Sequence, residues 1–362
     1  MYAKVFLVII SQSKLTPLAI NQNHTGKVNQ ISRHFGAVTA TPNIVEDPKT
    51  SVGIHIVFGM LASVAIIGNL LVCLVSIHQR AVMKGALHTL IFCLAIIDML
   101  TGLFAIITPG FVIPAEAFPY PNGTAGVLYC KLIDSEYFLF SLGFISIYLV
   151  LTITLERWFA IAQPWRYKVL FSVKNCRIMV ACIIIGQLIL TIENILNETF
   201  NPAFIPPCQW GSVFDDKATR NIFFIIMETI RLFIPVTVIV LCYIDIARRL
   251  FFLTKIGQND NVNKSITRRR ATITAFTASM ALIVCWLPNE LYFTLFQFEV
   301  IQLDPNISKA FKILIITNSS LNPFLYAITN ELYRDGIIKL FSSLKSRKHG
   351  KRNKPRATQV FK

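Results

Sequence analysis

Residues Leu87–Val112 read LHTLIFCLAIIDMLTGLFAIITPGFV, a stretch of 26 residues that holds one acidic side chain, Asp98, and no lysine or arginine. A helix needs about 20 mostly apolar residues to cross the roughly 30 Å hydrocarbon core of a bilayer. The stretch is therefore long enough to span a membrane. Its apolar side chains would occupy every face of such a helix, which argues against the single apolar stripe of a soluble surface helix.

Six further stretches have the same character, and we number all seven as spans 1 to 7 in chain order. The others are Val52–Ile77, Lys131–Leu155, Ile178–Leu196, Ile222–Ile246, Ala271–Phe298 and Ala310–Ile328. Only 15% of the chain is charged, against about 25% in a typical soluble domain. A membrane β-barrel would instead show short segments that alternate with a period of two. The sequence therefore predicts an all-α membrane protein, a bundle of seven transmembrane helices.

Positive charge is distributed unevenly along the chain. Most of the 35 lysines and arginines lie between spans 1 and 2, between spans 3 and 4, between spans 5 and 6, and after span 7. Such an excess marks the cytoplasmic side of a membrane. We therefore predict a multi-pass protein of the plasma membrane with its N-terminus outside the cell. The net charge of +16 then reflects topology and contact with lipid head groups, and no nucleic-acid partner is expected.

The spans divide the chain into three regions. We expect residues 1–50 to form a disordered, glycosylated extracellular tail and residues 51–330 to form the transmembrane domain. Residues 331–362 are expected to form a short amphipathic eighth helix on the membrane and a basic cytoplasmic tail. Four Asn-X-Ser/Thr sequences on predicted extracellular segments are candidate glycosylation sites. They begin at Asn23, Asn122, Asn197 and Asn306.

Short polar and proline-containing motifs lie inside six of the spans and occur in a fixed order. They are Gly68-Asn69, Leu94-Ala95-Ile96-Ile97-Asp98, Glu156-Arg157-Trp158, Pro235 with Tyr243, Cys285-Trp286-Leu287-Pro288 and Asn322-Pro323-Phe324-Leu325-Tyr326. In this order the chain resembles the rhodopsin-like (class A) family of G-protein-coupled receptors, as a divergent member. The resemblance implies a receptor rather than an enzyme. Its implied partners are an extracellular ligand, a heterotrimeric G protein, arrestin and a receptor kinase.

The resemblance also implies which residues couple the receptor to its G protein. In the family, the residue matching Arg157 contacts the G protein once span 6 has swung outward. The other implied members of this machinery are Glu156, Trp158, Tyr243, Asn322, Pro323 and Tyr326. Many members carry an acidic residue at the foot of span 6, where this chain has Arg268-Arg269-Arg270. We therefore expect any inactive-state lock on Arg157 to rest on Glu156.

Asp98 is a carboxylate in the middle of a span, which costs roughly 2.5–3.5 kcal/mol on insertion scales and calls for polar partners. Ser146, Asn318, Ser319 and Asn322 are available to supply them. The resemblance implies that these residues hold a sodium ion, an allosteric modulator, at Asp98. The alternative is a polar cluster with a purely structural role. No other cofactor is expected.

Cys130 precedes span 3 and Cys208 lies in the long loop before span 5. The resemblance implies a disulfide between them. Arg157 follows Cys130 by 27 residues, which is about two more than is usual in the family. Two explanations remain open: a bulge in the upper part of span 3, or a disulfide that lies slightly above it.

The ligand is constrained by the charges that the spans contain. Amine receptors of the family place an aspartate in span 3, and the matching position here is Leu139 or Tyr137. Charge lies instead at Glu228 and Arg231 in span 5 and at Glu290 in span 6.

Charges at this depth pair with one another or with a ligand, and both alternatives remain open. Trp286 and Asn289 complete the candidate pocket. Because the pocket is net acidic, we favour a cationic neuropeptide as ligand. A small charged, amine-like transmitter is the alternative. A membrane transporter is a distant third reading, since the internal repeats of transporters are not found.

Overall fold

The computed structural model describes residues 48–78, 85–204, 206–256, 262–331, 333–340 and 342. The N-terminal region with the candidate glycosylation site Asn23, the side chains of Arg268 and Arg269, and the basic tail from residue 343 lie outside the described residues.

The seven predicted spans are all helical. Their regular parts run over Pro48–His78, Ala86–Ile107, Tyr137–Ala162, Val173–Leu190, Ile234–Ile256, Val262–Gln297 and Pro305–Thr329. Span 5 starts earlier, with a helix over Lys217–Glu228 and a π-helical turn over Thr229–Phe233. Short helices over Ala115–Ala117, Gly123–Tyr129, Pro164–Leu170 and Glu193–Asn197 occupy the connections. The fold is the predicted seven-helix membrane bundle.

Spans 1 to 6 are long and apolar enough to cross a bilayer. Span 7 is also a helix of 25 residues, but it is more polar. It carries Lys309 and Lys312 near its N-terminal end and Thr317-Asn318-Ser319-Ser320 in its middle. Of these polar residues, Lys312 and Ser319 make contacts to other spans that are described below.

Sequence signals explain where several helices begin. Span 4 starts after Ser172, whose hydroxyl accepts a hydrogen bond from the amide of Asn175. The carboxylate of Asp216 caps span 5 by accepting the amide of Thr219 at 2.8 Å. Asp304 caps span 7 in the same way. Such side chains satisfy amide groups that have no partner in the first turn of a helix.

A small hairpin lies between spans 4 and 5. Strand β1 (Glu198–Phe200) pairs antiparallel with strand β2 (Cys208–Trp210), with Phe200 opposite Cys208. Cys208 is disulfide-bonded to Cys130, with 5.3 Å between the two Cα atoms. The predicted disulfide is thus confirmed, and it tethers the hairpin to the top of span 3.

Replacing Cys208 with serine should destabilise the protein, because the disulfide closes a long loop; the typical contribution is roughly 2–4 kcal/mol. We expect a lower melting temperature (Tm) of the purified protein and less of it at the cell surface. Cys182→Ser is the matched control, since Cys182 is a free and exposed cysteine of span 4. Equal surface levels and equal Tm for the two variants would show that the tether contributes nothing.

The upper part of span 3 contains a bulge. A π-helical turn over Cys130–Asp134 is followed by Glu136 in the left-handed conformation (φ 56°), and the regular helix begins at Tyr137. This irregular segment takes up the extra residues between Cys130 and Arg157. The bulge is therefore the correct one of the two explanations.

The eighth helix is present after span 7, since residues 331, 333–340 and 342 are helical. Tyr333 is completely buried and its ring lies 5.8 Å from that of Tyr326. Ile338 on another face is 62% exposed. This distribution fits the predicted amphipathic helix, although Leu332 and Phe341 of its expected apolar face lie outside the described residues.

Candidate functional site

A group of buried charged residues connects spans 4, 5 and 6. Arg231 is 3% exposed, and its Nη2 lies 2.6 Å from Glu228 Oε1 and 2.6 Å from Glu193 Oε1. Glu290 of span 6 is equally buried and accepts a hydrogen bond from Asn289 Nδ2 at 3.0 Å. We call Glu193, Glu228, Arg231 and Glu290 the charge cluster. It brings three carboxylates together around one guanidinium.

The sequence interpretation missed Glu193. This residue follows a turn at Thr191 and Ile192, in the short helix at the extracellular end of span 4. A signal was available, because Glu193 falls inside the predicted span Ile178–Leu196 and an acidic side chain there needs a partner. The partner, Arg231, lies 38 positions after Glu193 in the chain, so no local pattern could identify it.

Several polar atoms of this region have no hydrogen-bond partner among the described residues. They are Glu228 Oε2, Arg231 Nε and Trp286 Nε1. The guanidinium of Arg231 lies 5.0 Å from the ring centre of Phe144, and the rings of Phe144 and Trp286 are 5.4 Å apart. Since buried polar atoms in proteins are normally paired, these atoms provide both donors and acceptors for a polar ligand.

Trp286 lies at the base of this region and is 1% exposed. It precedes Pro288, the proline inside span 6. On the opposite side the indole contacts span 3 at Gly143, where a Cβ atom would lie only 2.2 Å from the ring. Glycine at position 143 is therefore required for this packing.

The amine-receptor position holds no carboxylate. Leu139 is buried and apolar, and the hydroxyl of Tyr137 donates to the carbonyl oxygen of Leu188 at 2.8 Å. Acidic side chains lie higher, where Tyr120 donates to Asp134 at 3.4 Å and Glu136 forms an ion pair with Lys312 of span 7. The end of the bundle that carries the hairpin thus also carries acidic groups contributed by the bulge of span 3.

Asp98 is fully buried and receives hydrogen bonds from three of the four predicted partners. Ser319 Oγ donates at 2.9 Å, Asn322 Nδ2 at 2.7 Å and Ser146 Oγ at 3.5 Å. Asn318 is also buried, but no hydrogen bond joins it to Asp98 in the described part of the chain. Spans 2, 3 and 7 are therefore joined at one carboxylate.

Near the C-terminal end of span 3, Arg157 donates two hydrogen bonds to the adjacent Glu156 through Nε and Nη2. Glu156 Oε1 also accepts the hydroxyl of Tyr167 at 3.0 Å, and Tyr167 lies on the helix Pro164–Leu170. The expected pairing of Arg157 with Glu156 is therefore present.

The foot of span 6 forms an ion pair of its own. Arg270 pairs with Glu331, the residue that opens the eighth helix, and Arg334 lies 3.6 Å from the same carboxylate. Arg270 and Glu331 are both about half exposed. Span 6 therefore supplies a base at this end of the bundle and is joined to the eighth helix.

Two further contacts connect spans 3, 5 and 6 near the C-terminal end of span 3. Trp158 Nε1 donates to Asp245 Oδ2 at 2.8 Å. The hydroxyl of Tyr243 lies 3.4 Å from Thr154 Oγ1 and 3.3 Å from Ser279 Oγ. These three spans are therefore held together at this end of the bundle.

Span 7 completes the set of predicted activation residues. Pro323, inside the helix, packs on Gly68 of span 1, where a Cβ atom would lie 2.8 Å from the proline ring. Tyr326 is buried, and its hydroxyl finds no partner among the residues described. The ring of Tyr326 contacts that of Tyr333, and its hydroxyl does not bond to Tyr243. The hydroxyl is therefore available to form a new hydrogen bond.

The candidate glycosylation sites differ in their surroundings. Asn122 and Asn306 are exposed. Asn197 is partly buried, and its Oδ1 accepts the amide of Val213 at 3.1 Å.

Comparison with known proteins identifies the family to which this architecture belongs. The family described as "7 transmembrane receptor (rhodopsin family)" matches residues 68–326. A histamine H2 receptor from Canis lupus familiaris is 27% identical, covering 84% of this chain and 83% of the relative. A QRFP-like peptide receptor from Branchiostoma floridae is 26% identical (86% and 83% covered), and an allatostatin-A receptor from Bombyx mori is 24% identical (85% and 84% covered). The chain belongs to the rhodopsin family of seven-transmembrane receptors.

Proposed function

We propose that this receptor binds a cationic extracellular peptide, a neuropeptide, and responds by activating a heterotrimeric G protein. It would do so at the plasma membrane with its N-terminus outside the cell. The observation that carries the proposal is the charge cluster, in which the buried Glu228 and Glu290 and the partly buried Glu193 lie around the single guanidinium of Arg231. A buried excess of carboxylate is costly without a cation, and a cationic group of the ligand would offset that cost.

The proposed contacts of the ligand are Glu228, Arg231, Trp286, Asn289 and Glu290, with Glu193 added from the structure. Arg231 touches Phe144, and Phe144 touches Trp286. A ligand that changes the ion pairs of Arg231 would thereby change the packing of Trp286 against span 3. This path connects ligand binding to the movement of span 6.

A peptide is favoured over a small molecule because acidic groups are spread over a long path. They run from the charge cluster up to Asp134 and Glu136 at the mouth of the bundle. The second candidate is a small charged transmitter. It is supported by the similarity to histamine H2 receptors, but the buried Leu139 leaves it without the usual aspartate in span 3.

On the cytoplasmic side, we propose that Arg157 leaves Glu156 and contacts the G protein when the receptor is activated. Glu156, Trp158, Tyr243, Asn322, Pro323 and Tyr326 would position the spans for this change. Arrestin and a receptor kinase are further proposed partners at the same face. The exchangeable ion pair of Arg157 supports this role, since a guanidinium readily trades one set of acceptors for another.

We also propose that a sodium ion binds at Asp98 as an allosteric modulator. The carboxylate, two serine hydroxyls and two amide side chains offer oxygen atoms, which hard cations prefer. Asn69 supports the fit: it donates to the carbonyl oxygen of Ser319 at 3.0 Å, and its own Oδ1 is buried without a partner in the described chain. Asp98, Ser146, Asn318, Ser319 and Asn322 would surround the ion.

The nature of the ligand is tested by expressing the receptor in cells and measuring second-messenger release in response to fractionated tissue extract. Half of each active fraction is treated with protease beforehand. We expect protease to abolish the response, which establishes a peptide ligand. A response that survives protease would contradict the peptide proposal and favour the small transmitter. Cells that express the Arg157→Ala variant control for responses of other receptors.

A further inference from the structure

The side chain of Glu198 is an unexplained buried carboxylate at the extracellular surface. It opens strand β1 opposite Trp210, and the residue is only 3% exposed. Within the described ranges no hydrogen bond or ion pair reaches its carboxylate, although almost all buried carboxylates are paired. The hairpin that carries it is fixed by the Cys130–Cys208 disulfide.

The surroundings of Glu198 are acidic. Burial, followed by the nearby carboxylates of Asp134 and Glu136, raises the pKa of Glu198 to about 8, whereas Lys131 acts in the opposite direction. The ammonium group of Lys131 is itself engaged, because it donates to the carbonyl oxygen of Ile195 at 3.2 Å.

The remaining charged and titratable neighbours are bound to the other two carboxylates. Lys312 pairs with Glu136, and Tyr120 donates to Asp134, which also lies near Tyr129. Three carboxylates therefore face two lysines, of which Lys312 is paired with Glu136 and Lys131 is bound to a backbone carbonyl, so neither lysine pairs with Glu198. The left-handed backbone of Glu136 holds one of these carboxylates at the break between the π-helical turn and span 3.

We propose that Asp134, Glu136 and Glu198 form a second cation site, at the extracellular mouth of the bundle, which binds a guanidinium or ammonium group of the ligand. This site shares no residue with the charge cluster, so the ligand would carry two basic groups. The inference rests on the proposed cationic peptide ligand. When the cation binds, the carboxyl group of Glu198 releases its proton to solvent and the resulting carboxylate pairs with the cation.

The site is tested with agmatine, which carries a guanidinium and a primary ammonium that both stay charged between about pH 6 and pH 9. The full-length receptor is purified in lipid nanodiscs, and the apparent Kd of agmatine is obtained from the rise of Tm with its concentration. With the pKa of Glu198 at about 8, binding should be roughly 20-fold tighter at about pH 8.5 than at about pH 6.5. At the lower pH, Glu198 is mostly protonated and therefore neutral. The proton must then leave before the carboxylate can pair with the cation, which weakens binding.

Glu198→Gln should abolish this pH dependence and weaken agmatine binding. Glu198→Asp retains a carboxyl group and should restore part of both effects, which separates a binding role from a folding defect. Glu299→Gln is the matched control: its side chain is 62% exposed and paired with Lys217, outside the acidic group. It should leave agmatine binding unchanged.

The proton on Glu198 gives a second readout without any ligand. Because its folded pKa is raised above the value in the unfolded chain, its contribution to stability is present at low pH and is lost as pH rises through about 8. The Tm of the wild type should therefore fall as the pH rises toward about 8, and this fall should be smaller in Glu198→Gln. The second site would be overturned if agmatine did not raise the Tm of the wild type, or if it raised the Tm of Glu198→Gln by the same amount. Activation by an extract peptide that persists in that case would leave the proposed function intact.

Discussion

Replacing Arg157 with alanine is expected to abolish receptor-stimulated nucleotide exchange on the G protein while ligand binding is retained. The guanidinium lies at the cytoplasmic end of span 3, 9% exposed and paired with Glu156. It is far along the same helix from Phe144, which contacts the charge cluster. Hydrogen bonds to charged groups contribute about 1.5–3 kcal/mol each, so we expect a loss of at least roughly tenfold in exchange rate.

The experiment measures guanine-nucleotide exchange with receptor and G protein in the same membrane. Lys174→Ala is the matched control, because it removes the same charge from an exposed position at the start of span 4 on the same side. The control should couple like the wild type. Full exchange activity in Arg157→Ala would remove this residue from the coupling mechanism.

Replacing Gly143 with alanine is expected to have the second largest effect. The new methyl group would lie 2.2 Å and 2.3 Å from two carbon atoms of the Trp286 ring. Trp286 is 1% exposed and is also packed against Phe144, so the indole or the helix must shift. Overpacking of this kind costs typically about 1–3 kcal/mol. We expect a lower Tm and altered basal nucleotide exchange, since the proposed path from ligand to span 6 runs through Trp286.

Gly186→Ala provides the control for this substitution. Gly186 is also a helical glycine of the bundle, in span 4, but nothing lies within 4 Å of the position of its Cβ atom. Alanine there should leave Tm unchanged or raise it slightly, because alanine favours a helix over glycine by roughly 1 kcal/mol. If Gly143→Ala matched this control in both Tm and basal exchange, the close contact between span 3 and Trp286 would be without consequence.

The parts of the molecule that the sequence predicted are those that depend on local patterns. Apolar length identified the seven spans. The spacing between Cys130 and Arg157 left open a bulge in the upper part of span 3 or a disulfide slightly above it, and the structure has an irregular turn before Tyr137. These features follow from helix geometry and from the cost of polar groups in a membrane.

The contacts that were missed join side chains from different helices. Glu193 pairs with Arg231, Trp158 bonds to Asp245, and Arg270 pairs with Glu331. Sequence periodicity predicts which face of a helix a residue occupies. It does not predict how far two helices are shifted along each other or which rotamer a long side chain adopts.

The central claim is that this receptor converts binding of a cationic peptide into nucleotide exchange on a G protein. The most direct measurement uses the purified full-length chain in nanodiscs with heterotrimeric G proteins of each class, and follows exchange after addition of a peptide fraction that is active in cells. The account predicts faster exchange that is lost after protease treatment of the fraction and in the Arg157→Ala receptor. Exchange that the active fraction does not accelerate with any G protein would contradict it.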